Sequence, residues 1–360
     1  MKKIDRQNMF LIACLVAALL VSLFVIVRKE EETKAVFLSY LNMQEILESE
    51  EEDYRANVSV VIENAQQQDL NTLIIHVRAF GDAYYNSEVY PQAQVMNHLG
   101  IDYDPLAIFV ELAHESGLDV IAWINPYRIS YTQSQYEYFL ENTALSEDEI
   151  LKVDTKAIID PASDAGRKLI VAGIEEVLAY GVDGILFDDY FYMDTMLEET
   201  TEQQRWAYVN TLIAEVYDTI KSYDNHVTFG ISPSGNLEYA KLIGADIETW
   251  ISEAGYVDYL MPQLYWTDHY GDDETTLFTN RLEAYDELKT EANSDVELMA
   301  ALAIYLCGTS NDYDSGWANY DDNIATQIET LEAYGWSGYA YYDYAGMISE
   351  AAQTELSHVN

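Results

Sequence analysis

The chain has 360 residues, and its 63 acidic against 18 basic side chains give a formal net charge of −45. That balance excludes nucleic acid as a partner and adhesion to anionic lipid surfaces. Apart from Cys14 the only cysteine is Cys307, so no internal disulfide is available, and a hydrophobic content of 49% must hold the fold through its core.

In chain order, Met9 to Val27 is an apolar segment of about 19 residues behind Lys2, Lys3 and Arg6, long enough to cross a bilayer. The expected topology is a single-pass anchor with its N-terminal tip in the cytoplasm and everything after Lys29 outside. A cleaved signal that leaves a secreted protein is the main alternative. A lipid anchor on Cys14 is disfavoured, because too few apolar residues precede the Leu11 to Cys14 stretch. Residues 1–29 are thus tip and anchor, residues 30–34 an acidic stalk, and residues 35–360 one domain.

Within that domain short apolar runs alternate with amphipathic ones. Strands are expected at Ala35–Tyr40, Thr72–Arg78, Asp119–Ile124, Gly184–Asp188, Val227–Ser232, Tyr259–Leu264, Leu298–Ile304 and Gly338–Tyr342. Helices are expected at Val58–Gln68, Pro105–Ser116, Arg167–Tyr180, Trp206–Tyr223 and Asn323–Tyr334. Gly117, Gly181 and Gly335 stand where helices end. Eight strands in such alternation predict an α/β fold, a (β/α)8 TIM barrel preceded by one transmembrane helix or signal anchor.

The segment Gly181 to Tyr192, GVDGILFDDYFY, is a buried strand that runs into two carboxylates, Asp188 and Asp189. In such a barrel the C-terminal end of a strand is the catalytic face. The bland alternative is a solvated pair, or one salt-bridged to Arg78 or Arg128. Other strand ends carry Arg78 and Asp82, Asn125 and Tyr127, Ser232, Gln263 with Tyr265 and Trp266, Tyr305, and Tyr342 with Asp343. Aromatic planes beside amides and carboxylates suit the apolar faces and polar rims of sugars. Any single tyrosine is more often a half-buried core residue. Strand alternation turns Tyr265 to the mouth with Gln263 and leaves Trp266 packed behind it or lining the cleft wall. The histidines lack ligand-pair spacing, and the loop Asn311 to Asp322 lacks calcium-loop order despite Asp312, Asp314 and Gly316, so no metal or cofactor is expected.

WINPYR at Trp123 to Arg128, GVDGILFDDYF at Gly181 to Phe191, GISPSG at Gly230 to Gly235 and MPQLYW at Met261 to Trp266 resemble the signatures of the bacterial glycosyl-hydrolase-like lipoproteins. These are extracytoplasmic, family-ten-like TIM-barrel proteins, some of which cleave peptidoglycan glycan strands. The resemblance runs from about Ala35 to the C-terminus. It implies a glycoside hydrolase acting on a polysaccharide, with peptidoglycan as the foremost substrate. Departures are Ala79 and Asn86 where prolines are usual, and Leu306 where relatives tend to carry a lysine. Asp183 to Tyr190 is also similar to the chitinase strand DGxDxDxE. On that alignment Asp188 is an inward-facing acid, and Tyr190 stands where the proton-donating glutamate would be.

Neighbouring strand residues face opposite ways, so a regular strand would turn only one of Asp188 and Asp189 to a glycosidic bond. The second carboxylate is then expected from another strand end, Asp82 first, with Asp189 and Asp343 behind it. An N-acetyl substrate supplying its own nucleophile is the other route, with Asp188 orienting the acetamido group and Tyr265 hydrogen-bonding it. Arg78, Asn125, Tyr127, Tyr190, Ser232, Gln263, Tyr265, Trp266, Tyr305 and Tyr342 are the expected substrate-binding residues. The competing reading is an anchored glycan-binding barrel without hydrolytic activity.

Overall fold

Eight parallel strands close on themselves in the computed structural model, which describes residues 32–271, 273–310 and 313–359. They are Thr33–Leu38, Thr72–Arg78, Asp119–Ile124, Gly184–Asp188, Thr228–Ser232, a sixth in two pieces, Tyr259–Leu260 and Gln263–Leu264, then Glu297–Leu302 and Gly338–Tyr341. Closure is made by the first strand against the eighth, with Val36 opposite Tyr341, and by the sixth against the seventh, with Leu264 opposite Leu302. The second to fourth strands lie where the sequence places them. The sixth breaks at Met261-Pro262, because proline has no N–H for the ladder, although the Pro262 carbonyl still accepts from the Ala301 amide at 3.0 Å. The seventh stops at Leu302, and Ile304–Leu306 coils into a 3-10 turn instead.

Helices cover the outside, and their apolar stripes explain them. The one expected from Val58 begins earlier, at Glu51, where three acids in its first turn favour the positive end of the helix dipole. It buries Tyr54, Val58, Val61, Ile62 and Ala65, spaced at one face. Gly117, Gly181 and Gly335 have φ of +76°, +76° and +72°, the left-handed conformation that terminates a helix. Two features go beyond the sequence reading. One is the helix Leu277–Ala292; the other is a small antiparallel sheet of Arg128–Ser130, Ile150–Val153 and Lys156–Ile159 between the third and fourth barrel strands.

The barrel interior is filled by alternate strand residues, among them Ala35, Phe37, Ile74, Trp123, Leu186, Tyr259, Met261 and Met299. Gly230 makes room for the largest of the fillers on its neighbouring strand: a Cβ there would lie 2.2 Å from the Tyr259 ring. Gly230→Ala is therefore expected to force that ring aside and cost roughly 1–3 kcal/mol of stability, read by chemical denaturation. An unchanged midpoint would show that the ring moves freely.

The expected anchor, Met9 to Val27, lies outside the described residues, as does Asp312. No helix among the described residues is long and apolar enough to cross a membrane.

Candidate active site

Leu186 points into the barrel, so Asp188, two residues on, stands directly above the packed interior at the C-terminal mouth. Both acids are nearly closed to solvent, Asp188 at 5% exposure and Asp189 at 8%. The strand ends at Asp188, and from there the chain curls so that the Asp189 amide donates to Asp188 Oδ1 at 3.0 Å. The same oxygen accepts from Gln263 Nε2 at 3.1 Å, and that amide also donates to the Ser232 carbonyl at 3.1 Å. Gln263 therefore fastens the fifth strand to the sixth and aims at the acid.

The regular alternation expected of the strand does not extend to Asp189, because the strand ends at Asp188 and the Asp189 amide turns back onto the Asp188 carboxyl. Burial raises the pKa of Asp188, opposed by the charge of Arg128 and by the hydrogen bonds from Asp189 and Gln263. Asp189 is pushed well above the carboxylate range by burial, then by the charge of Asp188 and by the hydrogen bond to it. Of the two, Asp189 is the acid biased more strongly toward its protonated form.

Arg128 is the residue that sequence reasoning considered only as an ion-pair partner. Its Nε donates to the Ala79 carbonyl at 2.6 Å. That carbonyl also accepts from Asn125 Nδ2 at 3.1 Å, while Asn125 reaches His76 at 3.0 Å. The guanidinium is boxed by the rings of Phe80 at 4.5 Å, Tyr190 at 4.6 Å and Tyr131 at 5.3 Å. Fixed there, it acts on Asp188 through space. Its signal in the sequence is its place at the end of WINPYR, beside a strand end.

Above the pair stand three tyrosines. Tyr265 lies 5.5 Å from Tyr342 and 6.2 Å from Tyr305, and Tyr342 lies 5.7 Å from Tyr305. Burial first, with Asp188 among the lesser causes, raises the phenols of Tyr265 and Tyr342, so both remain protonated donors. For Tyr190 the charge of Asp188 is the first cause. The Trp266 ring packs against Gly235 and lies 5.6 Å from the Arg281 guanidinium, with its carbonyl held by Gln327 at 2.9 Å.

Several expected residues lie apart from this cluster. Arg78 is buried and gives its donors to the carbonyls of Asn125 at 2.7 Å and Pro126 at 2.6 Å, while lying 4.5 Å from the Tyr90 ring. Tyr127 is 1% exposed and packs on Phe191. Asn125 and Ser232, by contrast, are buried within the cluster: Asn125 shares the Ala79 carbonyl with Arg128, and Ser232 stands opposite Asp188 in the strand ladder. Asp343 caps the helix Tyr344–Met347 through the Gly346 amide at 3.0 Å. Asp82 sits in a separate pocket, and Arg78 is the charged side chain acting on it. Among the described residues no cluster of histidine, cysteine or acid could hold a metal.

A closed parallel barrel with a buried acid pair beside aromatic rings, at the face where such barrels do chemistry, is the architecture of a glycosidase-type enzyme. The chain belongs to the family glycosyl hydrolase-like 10, whose sequence profile matches residues 33–205 and 198–319. It is 27% identical over 309 residues to the glycosyl hydrolase YngK of Bacillus subtilis, covering 73% of this chain and 58% of that protein. It is 30% identical over 249 residues to the glycosyl hydrolase DigH of Escherichia coli K12, covering 57% and 56%. The chain thus spans somewhat over half the length of these curated relatives. In fold it is similar to the PgaB glycoside hydrolase domain of Bordetella bronchiseptica, with a TM-score of 0.58 and 11% identity over 90% of this chain and 98% of that one. It is also similar to a family 18 N-acetylglucosaminidase of Paenibacillus barengoltzii, with a TM-score of 0.53 and 14% identity over 91% and 100%. At such identities the likeness concerns the fold alone.

Proposed function

We propose that the chain is an extracytoplasmic glycoside hydrolase that cleaves an N-acetylated cell-wall polysaccharide, foremost the glycan strand of peptidoglycan, with Asp188 and Asp189 as its reacting pair. The observation that carries this is the buried acid pair at the end of the fourth barrel strand, where Asp188 Oδ1 accepts from the Asp189 amide at 3.0 Å and from Gln263 at 3.1 Å. Pairs that flank a scissile bond stand about 5–5.5 Å apart in retaining enzymes and wider in inverting ones, and we read two successive acids at one strand end as acting from the same side. The attack must then come from elsewhere, and the acetamido group of the substrate supplies it. In this reading Asp189 gives its proton to the leaving glycosidic oxygen as the acetamido oxygen bonds to the anomeric carbon. Asp188 accepts the acetamido N–H and the Tyr265 hydroxyl donates to the acetamido oxygen. Water then opens the cyclic intermediate, returning a proton to Asp189.

The reading is tested by incubating the protein with intact and with peptide-stripped peptidoglycan strands and weighing the products by mass spectrometry. New reducing ends are expected. Retention of glycan without cleavage would mark a binding barrel instead. Localisation is part of the proposal: Met9 to Val27 is read as an uncleaved anchor, expected to keep the protein in the membrane fraction of its host. Recovery of a soluble form starting near Lys29, or of lipid on Cys14, would overturn that part.

Tyr265→Phe checks the role of the phenol. Its ring is held by Tyr342 at 5.5 Å and Tyr305 at 6.2 Å, contacts that phenylalanine keeps. Loss of the hydroxyl is therefore expected to lower turnover about tenfold with little change in melting temperature. A hydroxyl bonded inside the core would behave oppositely, with its removal costing about 1 kcal/mol and sparing catalysis.

A further inference from the structure

Beside the Asp188 centre the mouth holds a second concavity, of about 240 Å3. Loops that follow the first three barrel strands build it: Tyr40 and Gln44 come from the first, Phe80, Asp82 and Tyr84 from the second, and Tyr131 from the third. Two of its walls belong to the reacting centre as well. Phe80 and Tyr131 are faces of the box around Arg128, whose third face, Tyr190, directly follows the acid pair. The pocket and the centre are neighbouring compartments of one cleft.

The pocket contains an unmet acceptor. Asp82 Oδ2 accepts from the Gln94 amide at 3.3 Å, but Oδ1 is buried with no partner. An enclosed carboxylate oxygen left in this way is costly, so an O–H or N–H donor would be held there. Two of the surrounding polar groups are engaged with other residues rather than with Asp82. Gln44 donates to the Tyr84 hydroxyl at 2.9 Å, and the Gln135 carbonyl oxygen is taken up by Thr132 in a helix cap. Burial brings the Asp82 acid up to about 6, which leaves it ionised and accepting above that pH. The space is small beside drug-sized sites of roughly 300–1,000 Å3 and suits a single ring.

We propose that the Asp82 pocket is a sugar subsite of this cleft: it holds one pyranose unit away from the bond being cut, with a hydroxyl or acetamido N–H donated to Asp82 Oδ1 and a C–H face on Phe80 or Tyr131. The inference rests on the reading of Asp188 and Asp189 as the reacting pair. It changes the part played by Asp82 from second catalytic carboxylate to reader of chain length.

The test is calorimetric titration of the full chain carrying Asp188→Asn, alone and combined with Asp82→Ala, with N-acetylchitooligosaccharides from the monosaccharide to the hexasaccharide. Affinity is expected to rise with length until the pocket is reached. Asp82→Ala should weaken the longer members about tenfold more than the shortest, the loss of one charged hydrogen bond. Asp82→Asn, which keeps a carbonyl acceptor, should restore part of that loss, and melting curves confirm that each variant is folded. Length dependence that survives Asp82→Ala intact overturns the subsite. If the tenfold effect is present but the unaltered protein releases no product from these sugars or from peptidoglycan strands, the subsite stands and the hydrolase reading fails. No binding at any length overturns both.

Discussion

Asp188→Asn is expected to remove nearly all turnover, a loss of roughly 10²–10⁴, while leaving the fold intact. The first half follows from position: Asp188 stands at the centre of the mouth, with Arg128, Gln263, Tyr265 and Tyr342 arranged around it. The second half follows from chemistry. An asparagine oxygen still accepts from the Asp189 amide and from Gln263, as the carboxylate does. Its amide nitrogen then faces the Asp189 carboxyl. Two of the three leading causes that raise Asp189 come from Asp188, so the variant should return Asp189 toward an ordinary acidity.

The stability consequence has a definite sign. Both acids have raised folded values, so the stability they contribute is fully present below the ordinary carboxyl range and is lost as pH rises through those raised values. Removing Asp188 should therefore raise the melting temperature relative to the unaltered protein at neutral pH and bring no such gain near pH 4. Turnover and melting measured together at both pH values check the whole claim. Undiminished turnover in a folded variant would sink the assignment.

Much of this centre was legible in the chain because its information is local. Thr72–Arg78, Asp119–Ile124 and Gly184–Asp188 are near-continuous apolar runs buried on both faces, and their ends announce themselves in polar residues. What escaped depends on contacts between distant segments. Arg128 becomes part of the site only because Phe80, Tyr131 and Tyr190 converge on it. Arg78 was expected in the cleft from its place at a strand end, yet the pairing of the second and third strands shifts register between His76 and Arg78. Such an irregularity re-aims a side chain, and here the guanidinium reaches the Asn125 and Pro126 carbonyls. The same limit applies to Asp189: alternation holds while the strand holds, and the strand ends one residue before it.

Asp189→Asn is expected to cripple cleavage of the natural glycan by a similar factor but to spare substrates whose leaving group departs without a proton. If Asp189 is the proton donor, its loss matters in proportion to the basicity of the leaving oxygen. A sugar alcohol needs that proton, whereas a dinitrophenolate does not. On a dinitrophenyl N-acetylglucosaminide, Asp189→Asn should retain most of its turnover, while Asp188→Asn should lose it, because holding the acetamido group is needed whatever leaves. The pH profile supplies a second readout. Unaltered protein should lose activity as pH rises through the elevated Asp189 value, since only the protonated acid can donate, and Asp189→Asn should be flat across that interval. Equal losses on both substrates would show that the proton comes from another group and that the pair serves only to position the sugar.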